Sequence, residues 1–200
     1  GPSSSAGSSR KWLASASSEF REFLDPHLVL LAQVPDSFEI RAQDNFTVQR
    51  QTNATWQVQP GNFPADLQLL QTFVSHLVNL TNAGIEKEIV LEKDLPTYGL
   101  QPPARQYILR IADTNALDEA TNRILTQLDF GMRDDKVYAR TRGEDFVYTV
   151  HPKDPDFTQL PIASWQLRHR RVWKFTTNDV ARIAIRDRGK TREIIRSGPA

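Results

Sequence analysis

Apolar residues recur along this chain with two periods, and the switches between them mark out its elements. From Trp12 to Leu24, Trp12, Ala16, Phe20 and Phe23 return at helical spacing, and Asp25-Pro26 stops the run because proline disfavours helical geometry in the residue before it. An N-terminal helix is expected over residues 10–26. Between Phe38 and Arg50 the period becomes two: Phe38 and Ile40 precede the turn formers Asp44-Asn45, and Phe46 and Val48 come after, the pattern of a hairpin. After Trp56-Gln57-Val58, the run from Pro60 to Asp66 combines a turn with a proline and an acid suited to a first helical turn. Leu67, Leu70, Phe73 or Val74, Leu77 and Leu80 then form one apolar stripe. The stripe predicts a long amphipathic helix, closed by Asn82 to Gly84, which tolerate left-handed geometry.

The remainder reads mainly as strands, over residues 88–91, 106–111, 124–130, 136–140 and 146–150. Gly131 to Asp135 and Arg142 to Asp145 are short polar links that suit hairpins, so an antiparallel meander is the simplest arrangement. Residues 113–123 fit a surface loop or a short helix, and residues 157–164 another helical turn. The class expected is α+β, mainly antiparallel strands with one long amphipathic helix and an N-terminal helix.

Composition narrows the function more than the fold. The chain of 200 residues is 39% hydrophobic, with ten Phe, four Trp and four Tyr, so it has the means to bury a core. Lys plus Arg number 25 against 24 Asp plus Glu, so no net field draws the molecule to a polyanion; nucleic acid is not an expected partner. No cysteine is present, which removes disulfides, thiolate nucleophiles and Cys-type zinc sites. The longest apolar run, around Leu28 to Ala32, is far short of the roughly 20 residues of a membrane helix. Gly1-Pro2 and the Ser-rich residues to Ser9 read as a protease scar and linker, with residues 27–200 as a single α+β domain.

One internal repeat stands out. Val180 to Arg186, the turn Asp187-Arg188-Gly189-Lys190, and Glu193 to Arg196 match the pattern of residues 38–50, so residues 180–198 resemble the start of a second repeat and the domain is expected to be repeat-derived.

Several motifs carry a family resemblance: Trp56-Gln57-Val58-Gln59-Pro60 with Pro64-Ala65-Asp66, Tyr98-Gly99-Leu100-Gln101-Pro102, Asp129-Phe130-Gly131 with Val137-Tyr138-Ala139-Arg140, and Trp165 to Arg170 leading to Trp173-Lys174-Phe175. In order and spacing they resemble the bacterial domain of unknown function (DUF) family 4340, over residues 38–198. The resemblance implies an extracytoplasmic part of a membrane-anchored bacterial protein, often in tandem and near components similar to gliding-motility or export-type transporters. It implies no known reaction. The anchor would be a segment outside this sequence.

The candidate sites compete with plainer readings. Arg168-His169-Arg170-Arg171 is the densest basic cluster, and Arg168, Arg170 and Arg171 are the best candidates to grip an anionic ligand; the competing reading is a solvated loop paired with nearby acids. Tyr98 to Pro102 reads as a structural turn built on Gly99, and Trp56, Trp165 and Trp173 as core anchors rather than stacking platforms. His27, His76, His151 and His169 lack metal-ligand spacing, and Asp134-Asp135 and Asp154 with Asp156 read as turn chemistry. Ser8 to Lys11 matches SxxK only formally, and the Asn-x-Thr triplets at Asn45, Asn53 and Asn79 match by chance. No catalytic residue, metal or cofactor is assigned. The expectation is a non-enzymatic scaffold or interaction domain whose partner is another envelope protein. A binding module for an anion and an enzyme of unfamiliar design are the alternatives.

Overall fold

The computed structural model describes residues 25–112, 122–170 and 177–196. The chain divides into two compact units, Gly1–His169 and Arg170–Ala200.

The first unit is built on an antiparallel sheet of nine strands: β1 (Ser37–Arg41), β2 (Asn45–Arg50), β3 (Trp56–Gln59), β4 (Phe63–Pro64), β5 (Gly84–Lys87), β6 (Arg105–Ala112), β7 (Asn122–Arg133), β8 (Lys136–Thr141) and β9 (Val147–Val150). Their order across the sheet is β4-β3-β2-β1-β6-β7-β8-β9-β5. Two meanders, β1 to β4 and β6 to β9, meet where β1 pairs with β6, and β5 closes the far edge against β9. The expected α+β class and antiparallel pairing hold.

Period-two patterning decides which face each strand buries. Phe38, Ile40, Phe46, Val48 and Val58 in one meander, and Tyr107, Leu109, Leu128, Phe130, Val137 and Ala139 in the other, share one buried cluster. Helix α1 (Leu67–Asn79) covers this face with Leu70, Phe73 and Leu77. Each buried side chain of that size contributes about 1.5–3 kcal/mol. Phe73 lies edge-on to Phe38 at 5.5 Å between ring centroids and 5.9 Å from Tyr107. A short helix, α2 (Pro155–Thr158), packs beside α1 and brings Phe157 to 5.1 Å from Phe130. The opposite face carries a smaller cluster in which Val90, Leu95 and Leu100 sit on Tyr138 and Val147. Leu95 comes from a 3-10 helix, Glu92–Tyr98, and Val90 and Leu100 flank it.

Several turns form at Asp, Asn or Gly, which tolerate positive φ, whereas Ala54 and Arg188 adopt it at φ 63° and 46°. Asp134 and Asp135, at φ 50° and 61°, form the two-residue loop between β7 and β8. Gly131, expected in the connection, instead pairs with Tyr138 inside β7. It is needed there because a Cβ would lie 2.0 Å from the Tyr98 carbonyl oxygen. Gly99, at φ 65°, ends the 3-10 helix as expected of a structural turn.

Other expectations are displaced. The strand predicted over residues 88–91 lies earlier, at β5, because Val90 is drawn down into the second cluster instead of continuing the edge. The helix that the stripe predicts is only thirteen residues long. It ends at Leu80, in extended backbone, not at Asn82 to Gly84: Leu80 is fully buried, and Thr81 and Asn82 are held by His27 and Pro26. Asp66 precedes the first turn as its N-cap, accepting from the Gln68 and Leu69 amides at 3.0 and 3.2 Å. Trp165 does not anchor the core; in the 3-10 turn Ser164–Leu167 the residues Ser164 and Leu167 point inward, leaving Trp165 58% exposed. The predicted N-terminal helix, Trp173 and most of the 113–123 segment lie outside the described residues.

The second unit contains a 3-10 turn, Thr177–Asp179, and one hairpin, β10 (Arg182–Asp187) with β11 (Lys190–Ile195). The hairpin falls where the sequence predicts it.

Candidate functional site

An apolar recess lies at the rim where α1 overhangs the β1-β2-β3 end of the sheet. There a groove of about 430 Å³ runs between Val34, Pro35, Phe38, Trp56, Leu67 and Val74, with the Arg50 side chain at its margin. The local sequence explains its shape. On α1, Leu70, Phe73 and Leu77 turn into the core, whereas Leu67 and Val74, one turn apart on either side of Leu70, border the opening. Trp56 starts β3, its ring 5.6 Å from Phe38, so it is half-buried and shows its remaining area to the groove. Val34 stands 78% exposed and Leu67 55% exposed, more than isolated surface apolar residues need explain when they border one recess. Arg50 is the charged group of the margin, 3.6 Å from the Asp36 carboxylate. An apolar trough with one basic rim residue suits an amphipathic segment that lays down its apolar side.

Two arginines of the basic cluster, Arg168 and Arg170, are among the described residues. Arg168 is partly buried in the first unit, where its backbone bridges to Ala65. Its guanidinium carbon lies 3.9 Å from the centre of the Phe63 ring, and its Nη2 donates to Ser164 Oγ at 2.8 Å. Ser164 in turn donates its hydroxyl and amide to the Asp44 carboxylate, both at 3.0 Å. Arg168 therefore ties the 3-10 turn to the β4 edge. Arg170 is exposed in the second unit, and Arg171 lies outside the described residues.

Titratable groups elsewhere are engaged in pairs. On the sheet face away from α1, burial pushes the Glu39 carboxyl up, but Arg110 Nη2 at 2.9 Å and Arg41 beside it outweigh that and leave it below its ordinary value. Gln106 and Gln127 donate to Asp129 at 2.7 and 3.1 Å on the same face. His76 Nδ1 meets Asp156 at 2.7 Å across α1 and α2. Burial pushes the Tyr107 hydroxyl up to about 12, against the opposing pull of Arg105; that hydroxyl donates to the Pro161 carbonyl at 3.1 Å. Burial and the Glu144 carboxylate both push Tyr148 up. Among the described residues no group of three or more His, Cys, Asp or Glu is placed to hold a metal ion. Asp154 caps α2 by accepting from the Asp156 amide at 2.8 Å, which is turn chemistry as read from the sequence.

Sequence reasoning misses the groove: Trp56 packs against the core as expected but keeps part of its ring outside it, and Leu67, counted in the core stripe, is 55% exposed. The available signal is the width of that stripe: Leu67 and Val74 lie beyond what Leu70, Phe73 and Leu77 need to face the sheet.

A family model described as "Domain of unknown function (DUF4340)" matches residues 56–200. No curated protein and no solved structure matches the chain.

Proposed function

The chain belongs to the family of the domain of unknown function DUF4340, and on that premise we propose that it is a non-enzymatic interaction module whose groove holds an apolar segment of a protein partner. The observation that carries this reading is the open apolar trough bordered by Val34, Trp56, Leu67 and Val74. An edge of a packed sheet normally closes such a recess with its own side chains, and leaving Leu67 and Val34 in water costs solubility unless a partner covers them. The setting we propose is the outer side of a bacterial cell membrane, with the parent protein anchored there by a segment outside this sequence. The partner is then another envelope protein, and the module an accessory part of a transporter- or gliding-type complex. Tandem use of such modules fits a repeat origin, in which the β10-β11 hairpin corresponds to β1-β2.

The test is capture from a bacterial envelope extract by the wild-type chain and two variants, one with Leu67→Asp and Val74→Asp, the other with Arg168→Ala, Arg170→Ala and Arg171→Ala. A defined membrane-complex protein retained by wild type and by the arginine variant, but lost by the groove variant, supports the reading. Loss with the arginine variant and with raised salt, while the groove variant still binds, points to an anionic ligand and overturns it.

A further inference from the structure

The hairpin of the second unit exposes an apolar face that its counterpart in the first unit buries, and we infer that it is an acceptor for a strand–helix segment of the same design as residues 56–79. The inference is independent of the groove, since it concerns a different unit and different residues.

The two hairpins agree in register over five pairs, Ser37–Arg41 with Asn45–Gln49 against Arg182–Arg186 with Thr191–Ile195; β10-β11 adds a sixth pair, Asp187 with Lys190, before its turn. In β1-β2, Phe38 faces Val48 and Ile40 faces Phe46. In β10-β11, Ile183 faces Ile194 and Ile185 faces Arg192. Because side chains alternate across a strand, Ile183, Ile185 and Ile194 share one face just as Phe38, Ile40 and Val48 do. The other face is mostly polar in both hairpins, with Ser37, Glu39 and Arg41 in β1 against Arg182, Ala184 and Arg186 in β10; Ile195, opposite Arg182 where β2 has Gln49, is its apolar exception at 67% exposed. Arg192, at the position of Phe46, departs from the pattern; it sits toward the turn, where a long side chain reaches water past an apolar rim.

Exposure separates the two. Phe38, Ile40, Phe46 and Val48 are each 4% exposed or less, whereas Ile183, Ile185 and Ile194 are exposed at 47%, 50% and 60%. The first face is closed by the next segment of the chain. β3 pairs along the outer edge of β2, with Val58 opposite Val48, and α1 then lies over the face with Phe73 against Phe38. Among the described residues β11 pairs only with β10, so both the edge and the face that β3 and α1 cover in the first unit are open in the second. An isolated two-stranded hairpin is marginal in water, and an open edge beside an apolar face is a template for strand addition. The register identifies the occupant's chemistry: an extended segment with an apolar residue where Val58 stands, then a capped helix with apolar residues spaced like Leu70, Phe73 and Leu77.

The experiment titrates the full chain with a fluorescein-labelled synthetic peptide of residues 55–81 of this sequence, reading anisotropy and hydrogen exchange. Saturable binding is expected, weakened at least tenfold when the chain carries Ile183→Asp and Ile194→Asp, with at least fivefold slower exchange of the Lys190–Ile195 amides in the wild-type complex. The melting of the nine-stranded unit checks that the variant's other half is intact. A peptide carrying Gln57→Pro, which removes a donor of the kind that faces β2 in the first unit without changing the helix, should also bind at least tenfold more weakly and so separates strand addition from non-specific apolar adhesion. Equal affinity for wild type and hairpin variant, or no saturable binding up to about 1 mM, a free energy of about 4 kcal/mol, overturns the inference. So does a chain that dimerises alone with the β11 amides already protected, because the face then belongs to a second copy.

Discussion

At the scale of single residues, two side-chain environments make opposite demands on the chain. Glu39 is an ion held by two arginines on a partly buried sheet face, and its carboxyl is lowered below the ordinary 4.5 despite the burial that opposes this. A carboxylate lowered by folding adds stability that is complete above its unfolded value and is lost as pH falls through the folded one. Denaturant unfolding of Glu39→Gln against wild type should therefore show a deficit of about 1 kcal/mol at neutral pH. That deficit should shrink toward zero as pH falls below about 4; a deficit that does not change with pH would mean the arginines are not its cause. Gly131 makes a steric demand. Its position under Tyr98 and Gly99 leaves no room for a methyl group, and the obstructing atoms are backbone, which cannot rotate away. Gly131→Ala should cost about 3 kcal/mol, read as a lower denaturant midpoint at unchanged slope. Tyr98 packs edge-on to Tyr138 at 5.2 Å, so its fluorescence or aromatic NMR shifts should move in the same variant.

At the scale of elements, α1 is the piece on which both the core and the groove depend. Its N-cap is a single carboxylate, and the first turn contains no acid to share the role. Asp66→Ala should cost about 1 kcal/mol by thermal or chemical melting. Leu67→Asp, one residue on but outside the core, should leave the melting nearly unchanged while abolishing partner capture. Elements whose pattern is local are the legible ones. β7, β8 and β9 are period-two runs joined by short polar links that their residues identify, and both hairpins at residues 37–50 and 182–195 can be placed from spacing alone. The illegible parts depend on distant contacts. Ile85, Ile89 and Val90 offer two frames for an edge strand, and only the pocket formed by Tyr138 and Val147 on β8 and β9 selects the earlier one. The groove brings together Val34, Trp56 and Leu67 from three segments, each of which by itself looks like core. Arg168, read as a ligand grip, is drawn in by Phe63, a residue of the opposite edge strand that no spacing rule connects to it.

At the scale of the whole molecule, the decisive feature is where the buried residues end. Among the described residues, every strand of the nine-stranded sheet and every buried hydrophobic residue, Leu167 being the last, falls in the first unit. The second unit contributes a hairpin whose residues are all exposed. Cooperativity in a single domain comes from shared burial, so the free energy of unfolding should reside almost wholly in Gly1–His169. A chain ended after His169 should keep the cooperative transition of the full chain, with a denaturant slope nearly unchanged because slope tracks the area exposed on unfolding, and a stability within about 1 kcal/mol. Hydrogen exchange on the full chain should agree, with amides of β10 and β11 exchanging through local opening while those of β6 and β7 exchange only on global unfolding. If truncation instead abolishes the transition, the hairpin is part of the folding unit, and the open face of Ile183, Ile185 and Ile194 loses its standing as a docking surface. If the transition survives, the hairpin is carried by a body that does not need it. The isoleucines of its one face, Ile183, Ile185 and Ile194, are then accounted for by what they bind and not by what they stabilise.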